Sequence, residues 1–336
     1  MADNRKPPTM ADIARIAGVS LMTVSRAFKP DSLISRETRE TVLTTAENIG
    51  YVFDSTASNF RSQKSDFVAV TIPAISSPNF ADTIGGLADR LASRGLQILL
   101  GYTNYHMQDE ERLIEQFLRR KPQAIVVTGG RHTERARKLL QNAHMPVIET
   151  WDSPSEPIGN YVGFSNAGAV RQMVDHFVAV GYRRIAFIGG DVGRDTRGSD
   201  RRMGFIAAMA AHGLDASRLI AAGPPPISAL EGAAAMARLL ETYPDTEAVI
   251  CVSDQSAFGA LTECQRRGLT PPTDIGVGGF GNFEIGAVSN PRLTTIDPSS
   301  RLIGERTAVL ILDILDGHPG DNVEIAPALI VRESSR

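Results

Sequence analysis

From Phe67 onward, short apolar runs alternate with stretches in which apolar positions recur every three to four residues. The runs are 67–72 (FVAVTI), 97–101 (QILLG), 124–128 (AIVVT), 146–149 (PVIE), 185–189 (IAFIG), 248–253 (AVICVS) and 276–280 (GVGGF). The first, third, fifth and sixth are nearly continuous Val, Ile and Ala, the pattern of strands covered on both faces. Helical spacing falls between them, around 80–94, 109–120, 134–142, 166–180, 200–212, 229–242 and 255–267. Such alternation predicts an α/β core with parallel sheets, and it is long enough for two. The chain is expected to pass between the sheets in 150–165 and again near Asn290-Pro291.

The first fifty residues contain no strand-like run and predict an all-α unit. Thr9 can cap a helix from Met10 to Ala17, with Asp12 completing a capping-box-like pair. Gly18 sits where the chain must turn, and Ser20 can cap a second helix from Leu21 to Phe28. Val24 and Phe28 then face inward, while Leu21, Met22, Ser25 and Arg26 face out. A third helix follows Ser35, with Val42, Ala46 and Ile49 inside and Gly50 as its stop. Helix, short turn, short helix is the geometry that enters the major groove of DNA. Ser20, Thr23, Ser25 and the helix-end amides could hold phosphates, and Arg26 could fork onto a guanine. The same spacing also fits a small helical bundle with no DNA role.

Composition narrows the classes. The chain has 336 residues, 42% hydrophobic and 22% charged, with a net charge of -3, which excludes fibrous and wholly disordered proteins. Residues 1–64 hold nine Lys/Arg against seven Asp/Glu, and the remainder holds 26 against 31, too mild a split to indicate DNA by itself. Cys251 and Cys264 form no disulfide or metal framework. No apolar run reaches a membrane span and no apolar leader opens the chain, so a cytoplasmic protein is expected. The Gly-rich stretch 189–193 lacks dinucleotide or P-loop spacing, and the six His show no ligand spacing. No metal, cofactor or catalytic constellation is expected, and hence no enzyme.

The run TMADIARIAGVSLMTVSRAF (9–28) resembles the N-terminal headpiece of the lactose-repressor/galactose-repressor family, with its core from Asp12 to Arg26. The resemblance continues through SRETRETVLTTAENIGY (35–51) to the GGF…PRLTTI stretch (278–296). It implies a helix-turn-helix headpiece over 1–53, a hinge over 54–64, and a two-lobed, periplasmic-binding-protein-like effector and dimerisation domain over 65–336. The first lobe would take about 65–163 and 294–325, the second about 164–290 and 326–336. Family members read bases from positions matching Leu21, Met22 and Arg26, and Thr9 is carried over as a further DNA contact. Leu21 and Met22 are apolar where polar readers are common, and so suit thymine methyl groups. A hinge helix, here Ser55 to Gln63, would place Ala57 and Phe60 in the minor groove. The resemblance further implies a homodimer on a pseudo-palindromic operator; the missing heptad tail favours a dimer over a tetramer.

For the effector, the resemblance names Asn79, Phe80, Thr128, Glu149, Trp151, Ser253 and Asp254 after or at strand ends, and Arg201, in DRRMGF, where the family places an effector-binding Arg. Gly281 stands where many relatives carry an Asp that accepts from sugar hydroxyls, and Asn282 or His132 could supply replacement contacts. Losing a carboxylate beside Arg201 favours an anionic ligand over a neutral one. PVIETWDS (146–153) and AFGALTECQRRGL (257–269) are similar to the gluconate-operon repressors. The expectation is a repressor released by a sugar acid such as gluconate. A neutral sugar, a sugar phosphate, or a receptor without a DNA role remain alternatives.

Overall fold

The computed structural model describes residues 7–28, 32–53, 65–190 and 193–335. The chain divides into two units, 1–64 and 65–336.

The first unit is built from helix ends. Thr9 starts α1 (Met10–Ala17): its Oγ1 accepts from the Asp12 amide at 3.4 Å, and Asp12 Oδ2 accepts from the Thr9 amide at 3.0 Å. Two otherwise orphaned donors are satisfied reciprocally. Gly18 turns at φ +68°, which a side chain would strain. Ser20 then caps α2 (Leu21–Ala27), its Oγ accepting from the Thr23 amide at 3.1 Å. This helix ends one residue earlier than its spacing suggests. Phe28 is its cap and stacks on Phe53, and Ala27 takes the inner position. α3 (Arg36–Asn48) closes a core of Ile13, Val24, Ala27, Val42 and Ala46. Arg39 ties α3 back to α2, donating to the Ala27 carbonyl at 2.8 Å.

The second unit opens with β1 (Phe67–Ile72), α4 (Pro78–Leu91), β2 (Gln97–Tyr102), α5 (Met107–Arg119), β3 (Ile125–Thr128), α6 (Glu134–Gln141), β4 (Val147–Thr150) and β5 (Asn160–Gly163). It continues with α7 (Asn166–Ala179), β6 (Ile185–Ile188), α8 (Thr196–Ala211), β7 (Leu219–Ile220), α9 (Ala229–Thr242), β8 (Ala248–Cys251), α10 (Asp254–Arg266), β9 (Gly276–Phe280), α11 (Glu284–Val288) and β10 (Thr294–Asp297). It ends with α12 (Ser300–Leu315), β11 (Val323–Glu324) and β12 (Ala328–Ile330). Two sheets result, ordered β11-β5-β4-β3-β1-β2 and β12-β10-β9-β8-β6-β7. Every pairing is parallel except that of β12 with β10. The Val/Ile/Ala runs occupy buried central positions, as strands covered on both faces must.

Two expectations about the crossings are corrected. The segment 150–165 is not a simple crossover, because it contains β5, a strand of the first sheet. β10 belongs to the second sheet, so the return to the first lobe begins with α12 and not at 294. There α12 packs on α4 so closely that a Cβ on Gly304 would lie 1.9 Å from the Thr83 carbonyl oxygen. The chain therefore crosses between the lobes three times, at 164–165, 298–299 and 326–327. Strand ends on both sides of a three-stranded crossing are where open α/β proteins hold ligands.

Candidate functional site

In the headpiece, Leu21 and Met22 are 52% and 64% exposed, unusual for large apolar side chains on so small a unit. Arg26 is exposed on the same helix and makes no ion pair among the described residues. Thr23 and Ser25 are half-buried, and Thr9 is exposed. The Ser20 hydroxyl is already shared with Thr23 Oγ1 at 2.9 Å. The exposed surface of α2 thus offers two apolar groups and one cation. Ala57 and Phe60, and the whole expected hinge helix, lie outside the described residues.

In the sensor unit, a cavity of about 270 Å³ opens between the lobes. Loops after β1, β2 and β4 and the first turn of α4 bring Ser76, Ser77, Asn79, Phe80, Tyr105 and Trp151 from one side. Asp195, Arg197, Arg201, Ser228, Ser253, Gln255, Phe280 and Phe283 come from the other. Arg197 and Arg201 are one turn apart on α8 and face the cavity together. Arg201 donates from Nη1 to the Val252 carbonyl at 3.0 Å, and its guanidinium lies 4.1 Å from the Phe280 ring centre. Arg197, 5% exposed, donates to the Thr128 carbonyl at 3.3 Å and sits near the Phe80 ring. Neither makes an ion pair among the described residues. Burial pulls the Arg201 pKa below its usual value, the sign of a charge poor in compensation. Among the described residues Asp195 is the one acid lining the cavity, and it caps α8 through the Gly198 amide at 3.0 Å.

The neutral lining is also arranged. Burial, then the neighbouring Asp195, pushes the Tyr105 hydroxyl up to about 12, so it stays protonated. Trp151 is held at φ +69°, with its carbonyl accepting from Asn166 Nδ2 at 2.9 Å. Its buried indole N–H has no hydrogen-bond partner among the described residues. A left-handed non-glycine residue costs of order 1–3 kcal/mol and tends to mark functional sites.

Of the expected effector residues, Asn79, Phe80, Trp151, Arg201 and Ser253 line the cavity. Four do not, and each is occupied elsewhere. Thr128 donates its hydroxyl to the Thr71 carbonyl at 2.8 Å and borders only a smaller hollow of about 40 Å³. Glu149 is fully buried inside the first lobe; its Oε2 accepts from the Ile158 amide at 2.7 Å. Asp254 is equally buried, holding the Phe283 amide at 2.7 Å and the Thr295 hydroxyl at 2.5 Å. Asn282 is spanned between Asp297 at 3.0 Å and Arg332 at 2.6 Å. His132, the other suggested replacement, is buried against Glu110 at 2.8 Å. Gly281 has a steric reason: at φ +131°, a Cβ there would come within 2.5 Å of the Phe283 ring, which fills that part of the cavity wall. The spacing missed Ser76, Ser77, Tyr105, Asp195, Arg197, Ser228, Gln255, Phe280 and Phe283. Only Arg197 carried a signal, lying four residues before Arg201 on one helix face.

Among the described residues no group of His, Cys, Asp and Glu could hold a metal ion, and no helix is long and apolar enough to cross a membrane.

Comparison with known proteins finds matches to both units of the chain. Residues 9–54 match the model of bacterial regulatory proteins of the lacI family, and residues 174–335 match a periplasmic binding protein-like domain. The HTH-type transcriptional regulator GntR of Pseudomonas aeruginosa is 32% identical over 330 residues, covering 98% of this chain and 96% of that protein. The HTH-type transcriptional regulator IdnR of Escherichia coli is 31% identical, covering 90% of this chain and 91% of that one. A LacI-family transcriptional regulator from Silicibacter pomeroyi superposes with a TM-score of 0.92 at 30% identity, over 98% of this chain and 100% of that chain. These relatives are regulators and not enzymes. The chain belongs to the lacI family of bacterial regulatory proteins, as a DNA-binding transcriptional repressor.

Proposed function

We propose that this repressor acts in the cytoplasm as a homodimer on a pseudo-palindromic operator and is released by a small sugar acid, with gluconate as the leading candidate. Leu21, Met22 and Arg26 read the half-site, and Ala57 and Phe60 of the hinge serve the minor groove. The effector sits in the interlobe cavity. Its carboxylate engages Arg197 and Arg201, and its hydroxyls meet Asn79, Ser253, Tyr105 and the Trp151 indole N–H. Phe80 covers its carbon chain.

One observation carries the reading: among the described residues, a buried Arg197 and a half-buried Arg201 face one cavity without an ion pair, and Asp195 is the single carboxylate in its lining. Buried charges are normally paired, so the missing counter-charge belongs to the ligand. The GntR and IdnR relatives support the acid class by their names. Calorimetric titration of the full chain with D-gluconate, D-glucose and 6-phosphogluconate tests it, beside competition for a duplex selected from a random pool. D-gluconate is expected to bind and release the duplex. Arg197→Ala and Arg201→Ala should each weaken it about tenfold or more, the loss of one charge-assisted hydrogen bond of about 1.5–3 kcal/mol. Equal affinity for D-glucose would overturn the acid reading, and tighter binding of 6-phosphogluconate would move it to a sugar phosphate.

A further inference from the structure

We propose that Arg131, acting through Thr196 and Asp200, is a positioning residue: it clamps the two lobes together outside the cavity and so sets how readily the cavity takes its ligand. Arg131 follows β3 in the first lobe and does not line the main cavity. Its Nη2 reaches across to α8 in the second lobe, donating to the Thr196 carbonyl at 2.7 Å and pairing with Asp200. Two more bonds cross at the same place. Arg194 donates to His106, and Arg197 donates to the Thr128 carbonyl at 3.3 Å. All of them straddle the small hollow beside Tyr105.

The consequence follows from the order of residues on α8. Thr196 directly precedes Arg197, and Arg201 lies one turn beyond. Both cavity guanidiniums are therefore placed by a turn that is itself tied to the opposite lobe. Arg131 and Asp200 are 48% and 30% exposed, so their pair alone is weak in water. The clamp works because the carbonyl bond and the neighbouring crossings share one turn. A ligand that needs both lobes binds in proportion to the fraction of molecules in which they are already apposed. Removing the clamp lowers that fraction without touching a ligand-facing atom.

This proposal rests on reading the cavity as the effector site, but it can be tested without ligand. Trp151 is the only tryptophan of the chain, and it lines the cavity at 4% exposure. In the ligand-free full chain, Arg131→Ala is expected to raise acrylamide quenching of Trp151 about twofold, with an unchanged far-ultraviolet spectrum. Arg131→Lys, which keeps a cationic donor, should stay near wild type. Asp200→Ala added to Arg131→Ala should change nothing more, because the partner is already gone. With D-gluconate as the probe, Arg131→Ala should raise half-saturation about three- to tenfold and leave the maximal response intact. Unchanged quenching in Arg131→Ala, or fully additive effects in the double variant, would overturn the clamp. If D-gluconate fails to bind wild type while the quenching differences hold, the effector reading falls and the clamp stands.

Discussion

The headpiece and the sensor unit reach stability by opposite means. The headpiece closes around Ile13, Val24, Ala27, Val42 and Ala46, and takes much of its definition from Thr9, Gly18, Ser20 and Ser35 at helix ends. The sensor buries two six-stranded sheets under paired helices, and it places charged groups such as Asp254 and Glu149 fully inside. A small unit has few contacts to lose, so each one is a large share of its total. A large unit tolerates costly interior polar groups because so much apolar area offsets them.

The largest expected effect tests the small core. Ile13→Ala removes a fully buried side chain from that five-residue cluster and should cost about 4 kcal/mol. That is comparable with the whole stability of so small a unit. Calorimetry should show the sensor transition unchanged while duplex binding is lost. A matching drop in the sensor transition would break the comparison.

An intermediate effect concerns Asp254. Burial, opposed by the Thr295 and Phe283 hydrogen bonds, pushes its pKa up to about 6 in the folded state. The folded chain therefore binds this proton more tightly than the unfolded chain does. Its contribution to stability is fully present below about pH 4 and is lost as pH rises through 6, about 3 kcal/mol in all. Thermal melts from pH 4 to 7 should show the sensor transition falling by more than the same melts of Asp254→Asn. Parallel profiles for the two proteins would remove Asp254 as the cause.

The smallest effect sharpens the other side. Thr9→Ala deletes one half of a capping box and should cost about 1 kcal/mol, confined to the headpiece. Melts of the headpiece transition measure it; a shift in the sensor transition instead would count against separate behaviour.

The same contrast explains how legible each region was. Caps, turn glycine and inward face are written within a few residues of one another, so the headpiece helices could be read closely, with α2 and α3 each ending one residue earlier than read. The central strands were readable because burial on both faces leaves unbroken apolar runs. β7, β11 and β12 are too short to show any period. β10 was assigned to the wrong lobe because nothing local says which sheet edge a strand will join. The candidate effector site fared worst where polar residues at strand ends looked alike. Glu149 and Asp254 sit at such ends, as Trp151 and Ser253 do, but their partners Ile158 and Thr295 are set by packing across the fold. Arg197 was passed over although its helical offset from Arg201 was visible in the chain.

The crowding of Phe283 against Gly281 has a consequence for how this cleft can change over evolution. Restoring an acceptor carboxylate at 281 while Phe283 stays large would collide before it could recognise anything. Shrinking Phe283 first would leave an unfilled gap with no new partner. If the cleft holds the proposed effector, a change of ligand along this route must pass through a paired replacement, which would place sign epistasis between two neighbouring positions.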